Sequence, residues 1–120
     1  MLMERIIYNN IIPFKGFKAI TIFPWIFVKA AHKGTFDDKS INHELIHLYQ
    51  QKEMFVVLFF VWYVVEWLVR LLLYRNKKEA YRNISFEQEA YNNQSNVAYV
   101  YCRNSFDWLA YLNKKTYHVE

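Results

Sequence analysis

Residues 41–74 of this 120-residue chain contain neither glycine nor proline. An uninterrupted run of that length is typical of helix, because strands in globular proteins rarely exceed about ten residues. The whole chain has only two glycines and two prolines, which argues against a turn-rich sandwich or barrel. We therefore predict helix over 41–74, continuous or kinked, within a single domain that covers residues 1–120.

Residues 17–29 indicate a small β element ahead of that helix. They are rich in β-branched and aromatic side chains, and Pro24 interrupts them. We expect either two short strands or one edge strand bent at Pro24. The following loop, 37–40, carries aspartate and serine side chains that can cap the start of a helix.

The last third of the chain predicts further helices. Ser85 and Gln88 have the spacing of a capping box with Ser85 as the N-cap residue, so we place a helix from Ser85 to about Arg103. A last short helix is expected through Leu112. The predicted fold class is α+β and mostly α, with three or four helices and a small N-terminal β element.

Residues 43–47 form a HExxH motif at a place where helix is predicted on independent grounds. His43 and His47 lie on one helical face about one turn apart, so both rings can reach one zinc ion. Glu44 projects about 100° away, beside the open position of the metal, where it could take a proton from zinc-bound water. The alternative is coincidence, which we expect in roughly one of a hundred chains of this composition. Zinc affinity should fall as the two histidines become protonated below their usual pKa of about 6.5.

A third zinc ligand is expected, because zinc hydrolases usually combine three protein ligands with a water molecule. The only later histidine, His118, lies near the end of the sequence, which leaves a carboxylate on a following helix. Glu87 and Glu89 are the candidates, and on a helix their side chains point about 200° apart, so only one can face the metal. Glu87 is favoured because Glu89 shares its helical face with two asparagines, which suggests solvent. Glu53, the absence of a third ligand, and a helix-dipole role for both acids remain alternatives.

A HExxH motif followed some tens of residues later by a helical glutamate resembles the gluzincin clan of zinc metallopeptidases. In size the chain is similar to the small single-domain minigluzincins. The resemblance implies a zincin-like fold, with His43, His47 and Glu87 as zinc ligands and Glu44 as the general base. It also implies a peptide or protein substrate, bound in extended form along an edge strand for which residues 20–23 are the counterpart.

The chain departs from the pattern of that clan at one position. Ala90 matches the small packing residue that follows the ligand glutamate. Tyr91, however, stands where the clan has an aspartate that orients a zinc-bound histidine, so Tyr91 is the candidate for that supporting contact. Tyr81, Tyr91 and His118 are the candidates for the group that stabilises the transition state.

Residues 54–73 are apolar and have about the length needed to span a bilayer. Four basic residues follow within 75–82, as the positive-inside rule describes for a membrane span. Glu66 and Arg70, four residues apart, argue against a span, since both would be costly near the middle of a membrane unless paired or buried.

Geometry adds a second objection to a membrane span. A straight helix from His47 to Tyr74 would carry the chain about 40 Å from the zinc site, a distance that the segment back to Glu87 could barely cover. We therefore predict a kink near 50–53 or near 62–66. The apolar segment is then expected to be shielded mainly by the protein's own helices, or to lie at a membrane surface, rather than to form an integral anchor.

Composition narrows the remaining possibilities. The single Cys102 excludes an internal disulfide and a cysteine-only metal cluster. The net charge of +4 is spread along the chain, so no nucleic-acid partner is expected. The N-terminus lacks the order of a signal peptide, which predicts a cytoplasmic or membrane-associated protein. We predict a zinc-dependent metallopeptidase of unspecified oligomeric state. The alternative is a non-enzymatic, membrane-associated helical protein that retains a zincin-like metal site.

Overall fold

The computed structural model describes residues 5–12 and 17–119. The described part contains three strands and five helices, which makes the fold α+β and mostly α, as predicted, with one helix more than expected. The elements are β1 (Ile6–Asn9), β2 (Ala19–Ile22), β3 (Trp25–Lys29), α1 (Asp38–Glu53), α2 (Val57–Tyr74), α3 (Lys77–Arg82), α4 (Ser85–Asn93) and α5 (Tyr99–Cys102). A 3₁₀ helix at Asp107–Tyr111 stands where the last short helix was expected.

The strands form one sheet in the order β1-β3-β2. β2 and β3 pair antiparallel across the turn that contains Pro24, which confirms the prediction of two short strands. β1 pairs parallel with β3 and was missed, because four residues give too short a pattern to recognise. Within the described residues β2 is an edge strand, and it packs against α1.

Helix α1 begins at Asp38, three residues before the predicted start, and lies between the sheet and α4. The side chain of Asp37 accepts a hydrogen bond from the backbone N–H of Ser40, which caps the helix. On one side of α1, Leu48 packs into a cluster with Ile26 and Val28 of β3. On another side, Ile46 packs against α4 and α5. These contacts fix the orientation of the helix that carries the HExxH motif.

The predicted kink is a break between two helices at residues 54–56. Phe55 and Val56 adopt positive φ angles, and α2 starts after them at Val57. The break directly follows 50–53, one of the two predicted places. The other place, 62–66, lies inside the uninterrupted helix α2, so that alternative is wrong.

The start of α4 is held in a different way from the predicted capping box. Ile84 is the N-cap residue, and the backbone N–H and hydroxyl of Ser85 both donate to the carboxylate of Glu66 on α2. Gln88 donates instead to the backbone carbonyls of Asn83 and Lys114. The hydrogen bonds expected between Ser85 and Gln88 are therefore replaced by bonds to residues distant in sequence. The bonds from Ser85 to Glu66 place the start of α4 beside the middle of α2.

Helix α4 is also shorter than predicted, because it ends at Asn93 rather than near Arg103. The amide nitrogen of Asn42 on α1 donates to the backbone carbonyls of Gln94 and Asn96, within the turn that follows α4. This contact supplies a donor to carbonyls that a continuing helix would have used internally.

The prediction that the protein's own helices shield residues 54–73 is wrong. Helix α2 buries only Phe59, Glu66 and Arg70. The pairing of the two charged residues is confirmed, since Arg70 Nε lies 2.8 Å from a carboxylate oxygen of Glu66. By length and composition alone, α2 is the one helix of the described chain that could cross a membrane.

The exposed side chains of α2 recur every three or four residues and form a continuous face, which we call the apolar stripe. It consists of Val57, Leu58, Val61, Trp62, Val64, Val65, Leu68, Val69, Leu72 and Leu73.

Candidate metal centre

Helices α1 and α4 bring three buried side chains together. His43 and His47 lie one turn apart on α1, and Glu87 faces both of them from the first turn of α4. One carboxylate oxygen of Glu87, Oε1, lies 3.2 Å from His43 Nε2 and 3.1 Å from His47 Nε2. The two Nε2 atoms are 3.2 Å apart. The three residues singled out from the sequence are therefore adjacent, and together they could hold a metal ion.

The three donor atoms match the geometry of a small tetrahedral ion. They form a nearly equilateral triangle with edges of 3.1–3.2 Å. A tetrahedral ion with bonds of about 2.0–2.1 Å requires its ligand atoms to lie about 3.3 Å apart. The triangle therefore needs only a slight expansion to accept such an ion, with a fourth position left for a water molecule or a substrate.

The protonation of His47 is set by Gln50, one turn further along α1. The amide nitrogen of Gln50 donates to the carbonyl of Phe86 and to Glu89 Oε1, so its oxygen must face His47. That oxygen lies 2.7 Å from His47 Nδ1, which therefore carries a proton and donates it. In the neutral ring, Nε2 is then the unprotonated nitrogen, and it points toward Glu87 and His43. Gln50 thus presents His47 in the tautomer that a metal ligand requires.

His43 is supported from the turn after α4. Its Nδ1 lies 2.8 Å from Gln94 Oε1, and the ring of Tyr91 meets the imidazole edge to face with 4.4 Å between centroids. Tyr91 is thus next to the histidines, as the sequence predicted, but it packs against His43 and makes its hydrogen bond to Tyr81. Two glutamines, Gln50 and Gln94, occupy the supporting role for which the sequence offered only Tyr91. Gln50 could have been suspected from its spacing of three residues after His47.

Tyr63 links α2 to the site and was missed in the sequence. Its hydroxyl donates to Glu87 Oε2 over 2.6 Å, which leaves Oε1 for the histidines. Burial raises the pKa of Tyr63 well above its usual value, so the hydroxyl stays protonated. Nothing in the apolar segment marks this tyrosine, because its partner lies on another helix.

Glu89 has a structural role away from the candidate metal centre, and the prediction that it faces solvent is wrong. It is fully buried and accepts hydrogen bonds from Gln50, Tyr99 and Arg103. Glu53 also pairs with Arg103, so the alternative in which Glu53 closes the metal site has no support. The two acids and Arg103 form a buried network that holds Gln50 in place behind His47.

His47 and Glu87 strongly influence each other's protonation. Burial by itself lowers the pKa of His47, but the charge of Glu87 and the hydrogen bond between them outweigh burial and raise the pKa to about 9. Burial would raise the pKa of Glu87, yet the positive charge of His47 and the hydrogen bonds from both histidines hold it well below its usual value. Without a metal, the pair therefore carries a shared proton at neutral pH.

Zinc affinity is expected to rise by about tenfold per pH unit up to about pH 9, because the ion competes with the proton on His47. Zinc titrations with a competing fluorescent chelator, at several pH values, measure the slope. Glu87→Gln lacks the negative charge that raises the pKa of His47, so its zinc affinity should stop rising nearer pH 6.5. A wild-type affinity that is flat above pH 7 would contradict the coupling.

A cavity of about 650 Å³ opens over the three residues. Glu44 lines it together with the histidines and Glu87, and the hydroxyl of Thr21 on β2 donates to Glu44 Oε1 over 2.8 Å. Tyr81 also lines the cavity, whereas His118 is exposed and does not. Of the three candidates for the group that stabilises the transition state, Tyr81 is thus the one that lines the cavity, and its hydroxyl forms a hydrogen bond with that of Tyr91.

The edge of β2 forms one wall of this cavity. The pairing register directs the backbone groups of Ala19 and Thr21 away from β3. Gln51 on α1 already binds the carbonyl of Thr21 and the N–H of Phe23. Gln51 therefore occupies backbone groups of the predicted edge 20–23 from the Thr21 carbonyl to Phe23, so a substrate cannot pair with them. The part of the edge that lines the cavity is Ala19–Thr21.

Comparison of the chain with models of protein families, with curated proteins and with solved structures finds no match.

Proposed function

We propose that this chain is a zinc-dependent metallopeptidase, in keeping with its sequence resemblance to gluzincins. The observation that carries the proposal is the triangle of donor atoms from His43, His47 and Glu87 beside Glu44 in one cavity. Two imidazoles and one carboxylate, with an open fourth position, are a common ligand set of catalytic zinc. The same nitrogen-rich set is less suited to calcium or magnesium, which prefer oxygen ligands.

Glu44 is the proposed general base. Zinc bound to the three ligands would lower the pKa of a water molecule and polarise the carbonyl of the substrate. Glu44 would receive the proton of the attacking water and then give it to the departing amine. The hydroxyl of Thr21 holds the Glu44 carboxylate in the cavity, so the base is positioned before substrate binds.

Tyr81 is the proposed donor to the carbonyl oxygen of the substrate. Burial and the nearby Glu87 charge raise the pKa of Tyr81 far above its usual value, so its hydroxyl keeps its proton. A hydroxyl at the cavity wall can stabilise the negative charge that develops on that oxygen.

The edge strand supports a peptide rather than another substrate of hydrolysis. An extended peptide could pair with the outward-facing backbone groups of Ala19 and with the N–H of Thr21, which lie along the same cavity as the metal ligands. Apolar residues of β2 and α2 line the remaining walls, among them Ile20, Phe60 and Trp67, and favour apolar side chains on either side of the scissile bond.

The test is zinc-dependent hydrolysis of an unstructured peptide mixture, followed by mass spectrometry. We expect about one zinc per chain, loss of cleavage after chelation, and its return when zinc is added. His43→Ala should bind zinc far more weakly and cleave nothing. His118→Ala, which removes a histidine outside the cavity, should match the wild type. One zinc per chain without any chelator-sensitive cleavage would contradict the peptidase and favour the non-enzymatic alternative.

A further inference from the structure

We propose that the apolar stripe binds the protein to the surface of an anionic lipid bilayer. Helix α2 then lies parallel to the membrane plane, and the mouth of the cavity is at the membrane surface. The first observation is the distribution of charge on α2. The only charged residues within 54–74 are Glu66 and Arg70. Both are buried and paired with each other on the face that packs against the protein. The opposite face is therefore apolar over its entire length.

The extent of the stripe exceeds what isolated surface residues explain. Its exposed side chains follow one another through the whole of α2, from Val57, which is 70% exposed, to Leu73, which is also 70% exposed. Large contiguous apolar patches on monomeric proteins mark sites of interaction with proteins or membranes. A helix with an apolar outer face is the usual element of proteins that lie on a bilayer. Here the folded domain takes the place of the polar face of such a helix.

Charge complementarity favours lipid over a second copy of the chain. The exposed residues Arg75, Lys77 and Lys78 directly follow the stripe. A symmetric dimer would place the stripe against itself, and within 54–78 there is no exposed acid that could pair with these three cations. Anionic lipid headgroups supply the negative charge, and the acyl chains supply the apolar contact.

The packing of α2 favours an orientation in the membrane plane over a span. The guanidinium of Arg70 donates to the backbone carbonyl of Leu112 and contacts that of Lys114, in an irregular segment with exposed side chains. In a spanning orientation this irregular backbone would lie within the hydrocarbon layer beside α2, where exposed backbone of that kind is not tolerated. With α2 in the plane, the same segment stays on the water side.

The stripe and the cavity meet at Val64, which belongs to both. Phe17, which is 51% exposed, and the cations Lys77 and Lys78 also line the cavity. Docking through the stripe thus brings the mouth of the cavity to the lipid surface. Given the peptidase activity proposed above, the substrates are peptide segments that lie at the membrane interface.

Vesicle flotation tests the docking step independently of any activity. We expect the wild type to float with vesicles of equal parts phosphatidylcholine and phosphatidylglycerol, and more weakly with phosphatidylcholine alone. Val65→Glu should lower binding by about tenfold or more, since it places a charge within the stripe. Val97→Glu is the matched control, because Val97 is a similarly exposed valine outside α2. Both variants should keep the helical circular dichroism of the wild type, since neither side chain is buried.

The orientation is tested with two engineered cysteines. In a Cys102→Ser background, Lys52→Cys and Arg75→Cys place thiols at exposed positions on either side of α2. When the protein is bound to sealed vesicles, a membrane-impermeant maleimide should label both. Labelling of only one would overturn the in-plane orientation. A wild type that does not float, or that forms a stable lipid-free dimer dissociated by Val65→Glu, would overturn lipid docking.

The substrate class is tested by comparing one peptide with and without an acyl anchor in the presence of vesicles. The rate of cleavage of the anchored peptide, divided by the rate for the free peptide, should be higher with vesicles than without them. Val65→Glu should reduce this ratio in the presence of vesicles, and Val97→Glu should leave it unchanged. Cleavage without any preference for the anchored peptide would overturn the membrane substrate and leave the peptidase standing. Absence of cleavage of both peptides would overturn the peptidase and with it the substrate class, and flotation would still decide the docking.

Discussion

Replacement of Glu44 by glutamine is expected to lower kcat for peptide hydrolysis by about a thousandfold, while zinc binding stays at about one ion per chain. The amide keeps the size of the carboxylate and can still accept the hydrogen bond from Thr21. It cannot take up the proton of the attacking water. The metal ligands are untouched, so the loss should fall on kcat rather than on zinc affinity.

Asp38→Asn is the matched control for this experiment, because it neutralises an exposed acid at the start of the same helix. Its kcat and zinc content should equal those of the wild type. Peptide cleavage rates and zinc content, measured on the same preparations, separate a catalytic defect from a loss of metal. If Glu44→Gln kept kcat within about tenfold of the wild type while His43→Ala was inactive, Glu44 would not be the general base.

Glu87→Gln is expected to lower mainly the zinc affinity and Glu89→Gln mainly the stability of the fold, although the two residues lie close together on α4. Glu87→Gln removes the anionic ligand and should weaken zinc binding by about tenfold or more. Glu89→Gln removes the carboxylate that Arg103 binds at its Nε. This substitution should lower the free energy of unfolding by about 3 kcal/mol, because the buried charge of Arg103 loses one of its partners.

Zinc titration and urea unfolding, both carried out on each variant, distinguish the two roles. Because Glu89 acts on the metal only through Gln50, its replacement should change zinc affinity by less than about tenfold. A larger loss of zinc affinity in Glu89→Gln than in Glu87→Gln would mean that the ligand assignment is reversed. Equal and small losses in both would reduce the centre to a two-histidine site and remove the basis for a hydrolase.

Much of the candidate metal centre could be predicted from local spacing. His43 and His47 must share a helical face once the segment is helical, and the absence of glycine and proline made helix the expected structure. The orientation of Glu87 followed from the same geometry, since residues two apart on a helix point in different directions. The groups that support these residues could not be predicted in this way. Tyr63 reaches Glu87 from another helix, and Gln94 reaches His43 from a turn.

Several local patterns gave wrong predictions because long-range partners outweighed them. The capping box at Ser85 was reasonable by spacing, but the buried carboxylate of Glu66 is a stronger acceptor and takes both donors of that serine. Glu89 stands next to asparagines, yet Arg103 compensates its charge and allows complete burial. In both cases the deciding group lies more than ten residues away in the sequence.

Three properties follow from the amino-acid sequence alone: the chain is mostly helical, His43 and His47 share a helical face, and residues 54–73 are apolar. These properties depend on backbone propensity and on periodicity, which are local. Which side of the apolar helix is covered depends instead on contacts between elements that are distant in sequence. Glu66, Arg70 and Tyr63 face the protein because their polar groups find partners there. The other side carries no charged group, and its one polar side-chain atom, the indole nitrogen of Trp62, donates to Glu66, so this side is left at the surface as the apolar stripe.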